Sequence, residues 1–333
     1  MVTILVGGFY GDEGKGKVLG YLANKDRPQL VVRSGSGPQA GHTVTPTIKV
    51  TQVPSGLVAP KARLLIGRGT LISPEIFLKE VKENNLEGRI FVDGGCTIIE
   101  QKHIKLEADL VKRIGSVGTG VGPARVDRVM RLATLAKDEP RLKKYITNVA
   151  KEVNDAIAKK KSVLVEGVQG YGLSLLDDKY YPFVTSQDTT ASQFAADTGI
   201  GPRSVNNVVV VFKAYLSRVG EDPTFKEWSV SKAKRLGIQE RGSVSGRPRK
   251  LGDFDVNMAS DAITANTGNV FAITCVDRLF PGNENVTEFK KLTKEAKEFI
   301  KEIEVKLKKK NPMFTKFHLI STGPDLHHII DLR

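Results

Sequence analysis

Asp12, Lys15 and Lys17 sit in one glycine-rich stretch, Gly11-Asp12-Glu13-Gly14-Lys15-Gly16-Lys17, directly behind the apolar run Val2-Thr3-Ile4-Leu5-Val6. Small glycines let backbone N–H groups approach an anion, and a following helix points its positive end at the same place. Two lysines add charge and Asp12 adds a carboxylate, which is the composition of a nucleotide phosphate site. Gly11, Gly16 and Lys17 satisfy the G-x-x-x-x-G-K pattern, but Val18 stands where Ser or Thr would hold Mg²⁺. A metal there needs another oxygen ligand, and Asp12 is the nearest candidate. The plainer reading of Asp12 is a helix N-cap. His42 follows Gly41 in a second loop and offers a proton donor; its plainer reading is a surface histidine.

Such groups need a frame. Apolar, β-branched runs read as strands near 2–7, 29–33, 63–66, 89–92, 162–166, 207–214, 270–274 and 316–320. Helical spacing is found near 15–24, 73–84, 139–160 and 286–310. Strands alternating with helices predict an α/β fold, P-loop NTPase-like, with a mostly parallel sheet flanked by helices and small appended lobes. Sites in such sheets gather at the carboxyl ends of strands. The segments 7–17, 166–170, 274–277 and 321–325 each follow a strand-like run directly, so one shared cleft is expected. The glycine-rich loops 33–41 and 115–122 read as site-lining, and 233–250 as a basic loop carrying Arg235, Arg241, Arg247, Arg249 and Lys250. No Pro/Ser-rich linker divides the chain, so residues 1–333 are expected to form a single domain.

Composition narrows the class. The chain has 333 residues, 40% hydrophobic and 26% charged, which is ordinary for a globular protein. Two distant cysteines, Cys96 and Cys275, make neither a disulfide framework nor a zinc spacing, and point to a reducing cytoplasm. The initial apolar run is too short for a secretory signal, and no stretch is long and apolar enough to predict a membrane span. The net charge of +14 suits anionic substrates or nucleic acid, although the lysines of 286–310 read first as the solvated face of an amphipathic helix.

The Gly-Asp-Glu-Gly-Lys-Gly-Lys string, together with Ala40-Gly41-His42-Thr43, resembles the adenylosuccinate synthetase family. These ligases join IMP and aspartate at the expense of GTP. The resemblance recurs, in family order, at Val117-Gly118-Thr119-Gly120-Val121-Gly122-Pro123-Ala124, Glu166-Gly167-Val168-Gln169-Gly170 and Pro182-Phe183-Val184-Thr185-Ser186. It continues at Gly246-Arg247-Pro248-Arg249, Thr274-Cys275-Val276-Asp277 and Ser321-Thr322-Gly323-Pro324-Asp325.

The resemblance implies a role for each island. Asp12 is the general base at N1 of IMP and His42 the general acid, with Mg²⁺ held by Asp12 and the Gly41 carbonyl. GTP is held by Gly11, Gly14, Lys15, Gly16, Lys17, Gly41, His42, Thr43, Arg249, Cys275, Val276, Asp277, Ser321, Thr322 and Gly323. A carboxylate at Asp277 would accept both guanine N1–H and N2–H, a donor pair that adenine lacks. IMP is held by Asp12, Glu13, Gly14, Lys15, Gln39, Ala40, Gly41, His42, Val117, Gln169, Thr185 and Arg247, and by Arg131 from a neighbouring subunit, which implies a homodimer. The segment Ser243-Val244-Ser245-Gly246-Arg247-Pro248-Arg249 matches the aspartate-recognising loop. Departures from the family pattern are Cys275 for a lysine, Val117 for a threonine, Gln39 for an asparagine, Pro248 within the arginine run, and a shorter chain than the usual bacterial and eukaryotic forms.

Two other readings compete. One is a related P-loop GTP-dependent ligase acting on another substrate. The other is a non-catalytic GTP-dependent switch or nucleic-acid binder, and Asp12 paired with His42 argues against it, because a switch needs no acid and base. Neither nucleic acid nor a membrane is the expected partner.

Overall fold

The computed structural model describes residues 1–242 and 244–333, so the expectation for Ser243 lies outside the described residues. A ten-stranded sheet runs through the molecule in the order Ile329–Asp331, Leu319–Ser321, Val270–Thr274, Asn207–Lys213, Val2–Gly7, Val163–Glu166, Leu30–Arg33, Arg63–Ile66, Ile90–Asp93 and Ile146–Thr147. Neighbours pair in parallel except at the edge, where Leu319–Ser321 and Ile329–Asp331 run antiparallel.

The strands read as continuous apolar runs because both faces are covered. Side chains alternate between two cores: Ile4, Val6, Val165, Val210 and Ile273 face one, and Leu5, Leu164, Val209, Val211 and Ala272 face the other. Against the first pack the helices Val149–Ala158, Ala191–Thr198, Val256–Asn266 and Lys294–Lys310. Against the second pack Lys15–Asp26 and Pro74–Glu83. No helix among the described residues is long and apolar enough to cross a membrane.

All eight expected strands are present. Two helical expectations need correction. The span 139–160 breaks into a 3-10 turn Pro140–Tyr145, an edge strand Ile146–Thr147 and the helix Val149–Ala158, because Val92 and Asp93 offer the β-branched pair an open ladder and Asn148 caps the helix at Lys151 N. The span 286–310 holds a 3-10 turn at Phe289–Lys291 and becomes α-helical only at Lys294, where the Thr293 hydroxyl accepts from Ala296 N. Conversely, the helix Val121–Met130 begins inside the expected loop 115–122, and the helix Val230–Leu236 runs into the expected loop 233–250.

The strand order fixes the plan of the cleft. Val2–Gly7 is central, so the glycine-rich loop emerges in the middle of the carboxyl edge. On one side end Glu166 and Arg33; on the other end Lys213, Thr274 and Ser321. A short antiparallel pair, Leu216–Arg218 with Lys250–Gly252, carries the basic segment over this edge.

Candidate active site

The loop after Val2–Gly7 is braced from within. The Glu13 carboxylate, 1% exposed, accepts from Phe9 N (2.9 Å) and Gly11 N (2.8 Å) and pairs with Lys15 Nζ (2.7 Å). Lys15 also donates to Gly11 O at 3.0 Å. Thr274 Oγ1 donates to Glu13 O at 2.7 Å and ties the loop to the neighbouring strand end. Gly14 caps the helix Lys15–Asp26 at φ 75°, a left-handed conformation in which a side chain would be strained. Asp12 is therefore not the N-cap, and its carboxylate is left for the cleft.

That cleft is a cavity of about 360 Å³ lined by Asp12, Gln39, Ala40, Gly41, His42, Val117, Gln169, Thr185, Val244, Ser245, Arg247 and Arg249, among others. Residues from all the islands on this side of the sheet thus meet in one place. Four arginines (Arg113, Arg218, Arg247 and Arg249) line it against two carboxylates, Asp12 and Glu107, so it favours anions. Gln169 Nε2 donates to Thr185 Oγ1 at 2.6 Å, and the Gln169 and Gln39 carbonyl oxygens have no hydrogen-bond partner among the described residues.

Asp12 Oδ1 lies 2.7 Å from Arg249 Nη2. Burial pushes the Asp12 carboxyl up to about 6, against the opposing pull of Arg249 and then Lys213. Arg249 is held in turn by Glu240 at 2.9 Å, and Glu240 takes two 2.6 Å bonds from Lys213 and one from the Tyr215 hydroxyl. Residues 240–242 pair with 247–249 as the two limbs of a hairpin: Arg249 N donates to Glu240 O and Gly242 N to Arg247 O. Arg247 Nη2 reaches Gly115 O at 2.6 Å and fastens the hairpin to the far wall.

His42, 5% exposed, has Nδ1 against Glu166 Oε1. Glu166 is fully buried at its strand end and also accepts from Ser55 N (2.7 Å), the Ser55 hydroxyl and Arg33 Nη1 (3.2 Å). Arg33 and Glu166 are register partners on adjacent strands. Arg33 Nη2 also donates to Ala40 O (2.6 Å) and Thr51 O (2.9 Å), which pins the loop carrying Gly41 and His42. Burial and then Arg33 bring His42 down to about 4. Burial works upward on Glu166, but Arg33 and His42 outweigh it and hold the carboxyl at about 2. The imidazole is therefore neutral at pH 7, with Nδ1–H toward Glu166 and Nε2 on the edge left for the cavity.

The residues expected to read a guanine lie across the central loop from His42. Asp277 is in the first turn of the short helix Val276–Leu279, and burial raises its carboxyl. Cys275 takes φ 60° just before it, and Val276 is fully buried. Ser321 and Thr322 are buried at the strand end. Lys17 departs from expectation: its amine is turned to Ser321 Oγ, Gly323 O and His328 O. Thr43 is exposed and does not line this cavity. Arg131 does not reach this chain's own cavity either. It caps the far end of Val121–Met130, exposed beside Val126, Val129, Met130 and Leu132.

Sequence reasoning missed Glu166 as the partner of His42, and it missed Arg33, Glu240 and Lys213. The available signal was a charge closing an apolar strand: Arg33, Glu166 and Lys213 each do so.

The chain matches the family model described as adenylosuccinate synthetase over residues 4–139 and 132–284. It is 48% identical over 337 residues to the adenylosuccinate synthetase of Archaeoglobus fulgidus, covering 99% of this chain and 98% of that one. It is 45% identical over 340 residues to that of Methanosphaera stadtmanae, with the same coverage. The chain belongs to the adenylosuccinate synthetase family. Its fold is shared with the fully ligated adenylosuccinate synthetase of Plasmodium falciparum (TM-score 0.89, 22% identity, 100% of both chains). It is shared also with cyanophage S-2L succinoaminodeoxyadenylate synthetase, described as bound to dGMP and dATP (TM-score 0.82, 24% identity, 99% of this chain and 95% of that one). Shortness is common to the Archaeoglobus and Methanosphaera relatives, of whose length this chain covers 98%.

Mg²⁺ serves this family, and the donor set fits it. Among the described residues no group of three or more His, Cys, Asp or Glu could hold a metal unaided. Asp12 and Gly41 line one cavity. One carboxylate and a carbonyl, completed by phosphate oxygens and water, is how Mg²⁺ is commonly bound, in contrast to an all-protein cage.

Proposed function

We propose that this chain, acting as one α/β domain over residues 1–333, ligates L-aspartate to IMP with GTP, giving adenylosuccinate, GDP and phosphate. The C6 oxo group of IMP is a poor leaving group. Asp12 takes the N1 proton, so that O6 becomes nucleophilic and attacks the γ-phosphoryl group. The aspartate amine then attacks C6 of 6-phosphoryl-IMP, and phosphate departs in place of oxide. The carrying observation is that the Asp12 carboxyl, raised by burial, and the His42 ring edge line one anion-favouring cavity.

His42 presents Nε2 to the transferring group, and Glu166 behind Nδ1 stabilises the imidazolium formed when Nε2 also holds a proton. Asp12 and Gly41 would hold Mg²⁺, which neutralises phosphate charge when bound. Gln39, Gln169 and Thr185 would hold IMP, Arg247 and its hairpin the aspartate carboxylates, and Asp277 with Ser321–Gly323 the guanine. Arg249, paired with Asp12 here, would exchange that carboxylate for nucleotide when GTP enters. A homodimer belongs to the same proposal: the exposed apolar residues around Arg131 suit burial against a second copy, which Arg131 would enter. So does a reducing, cytoplasmic setting, in keeping with two free cysteines.

The test is to mix purified protein with IMP, aspartate, GTP and Mg²⁺, and to follow the absorbance change of adenylosuccinate. Loss of the signal on omitting any one component is expected. No adenylosuccinate, with GTP consumed on another acceptor, would instead assign a different ligase reaction.

A further inference from the structure

Lys17 satisfies the sequence pattern of a phosphate-gripping lysine, yet its surroundings give it other work. Its side chain is buried in the first turn of Lys15–Asp26. Nζ donates to Ser321 Oγ at 2.8 Å, to His328 O at 2.9 Å and to Gly323 O. An ammonium has three N–H donors and no acceptor. All three are engaged, so no hydrogen is left for a phosphate oxygen. The three acceptors flank both limbs of the turn joining the strands Leu319–Ser321 and Ile329–Asp331, about 300 residues away in the chain. The turn is held on its other side as well: Thr322 Oγ1 donates to Val286 O (2.6 Å), and Asn285 N donates to Thr322 O (2.7 Å). Asp277, Cys275 and Asp325 act on the ammonium through space, and none of them is a hydrogen-bond partner of it.

We propose that Lys17 is a positioning residue that bolts the phosphate loop to the 321–328 turn, fixing the guanine-reading elements relative to the nucleotide phosphates, and is not itself a phosphate ligand. The proposal rests on the reading of GTP as co-substrate. Burying an ammonium is costly unless its donors are met, and the turn's two carbonyls and one hydroxyl meet them all. Removing the ammonium frees the turn, leaving the glycine-loop N–H groups in place. Guanine discrimination is then lost, while affinity for the phosphate chain is kept.

The experiment compares Lys17→Met and Lys17→Arg with the natural full-length protein. It measures kcat and KM for GTP and for ITP, whose base lacks the exocyclic amine, and inhibition by inorganic tripolyphosphate. In Lys17→Met, KM for GTP is expected to rise at least about tenfold, the weight of one charge-assisted hydrogen bond, with a smaller change in kcat. The GTP-over-ITP preference should shrink, tripolyphosphate inhibition should hold, and Lys17→Arg should recover part of the preference. Equal weakening of GTP and tripolyphosphate, with the preference intact, would overturn the proposal. If Lys17→Met does not fold, Ser321→Ala removes one acceptor without touching the charge, and an unchanged GTP-over-ITP ratio there is equally fatal. Hydrogen exchange separates this proposal from the GTP reading, because it needs no nucleotide. Amides of 322–328 should exchange faster in Lys17→Met even if the natural protein shows no GTP turnover, and unaltered protection would mean that no bolt exists.

Discussion

Replacing Glu166 by Gln keeps the shape of the side chain and one acceptor oxygen but removes the charge opposite Arg33. Both partners are buried, 0% and 1% exposed, at 3.2 Å. The carboxyl is held at about 2 against an ordinary 4.5, because Arg33 and His42 outweigh the upward push of burial. At 1.36 kcal/mol per pK unit, the whole depression would be roughly 3 kcal/mol, an upper bound at pH 7 because the His42 share of it needs a charged imidazole. Breaking a buried pair by removing one partner independently suggests about 3–5 kcal/mol. Neutral His42 cannot repair the loss, since the charge stranded by the substitution is the Arg33 cation. Total stabilities are roughly 5–15 kcal/mol, so Glu166→Gln should remain folded but weakened. Urea unfolding at pH 7 should show the loss, and adding Arg33→Met should return part of it by removing the stranded cation. The folded carboxyl lies below its unfolded value, so the advantage of natural protein over variant is complete above about 4.5 and fades as pH falls toward 2. Turnover should fall as well, because the Nδ1 contact that orients His42 is weakened. Stability within about 0.5 kcal/mol of the natural protein would refute the pair as the anchor of this site.

Asp12→Asn and His42→Asn should each lower turnover by at least about 10²-fold with nucleotide binding largely intact; steady-state kinetics with a nucleotide-binding titration checks this, and near-normal turnover would remove that residue from the mechanism. Asp277→Asn should narrow the preference for GTP over ATP, measured as a ratio of kcat/KM, and an unchanged ratio means the guanine is read elsewhere. Gly8→Ala should destabilise by roughly 1–3 kcal/mol, because the new Cβ would lie 2.2 Å from a Phe212 ring carbon. That ring is hemmed in by Phe9, Phe254 and Phe317, and thermal unfolding would register the strain.

Legibility followed burial. The eight strands could be read because both sheet faces are covered, which forces unbroken β-branched runs such as Asn207–Lys213. The span 139–160 misled because its apolar spacing is helical, while Ile146 and Thr147 are drawn into the sheet by a partner strand that local spacing cannot reveal. Helix Val121–Met130 was hidden by the glycines that begin it, with Gly120 supplying a left-handed cap.

The sequence by itself determined the family and the central glycine-rich loop and nominated Asp12 and His42 as acid–base candidates, because those depend on residue types at fixed local spacing. Only the tertiary structure decided which charges meet. Glu166 reaches His42 from 124 residues away, Arg249 reaches Asp12 from beyond the sheet edge, and Lys17 spends its donors on a turn near the carboxyl end of the chain. A side chain's partners are set by strand order and by the need to satisfy every buried polar group, and neither can be read from the neighbours along the chain.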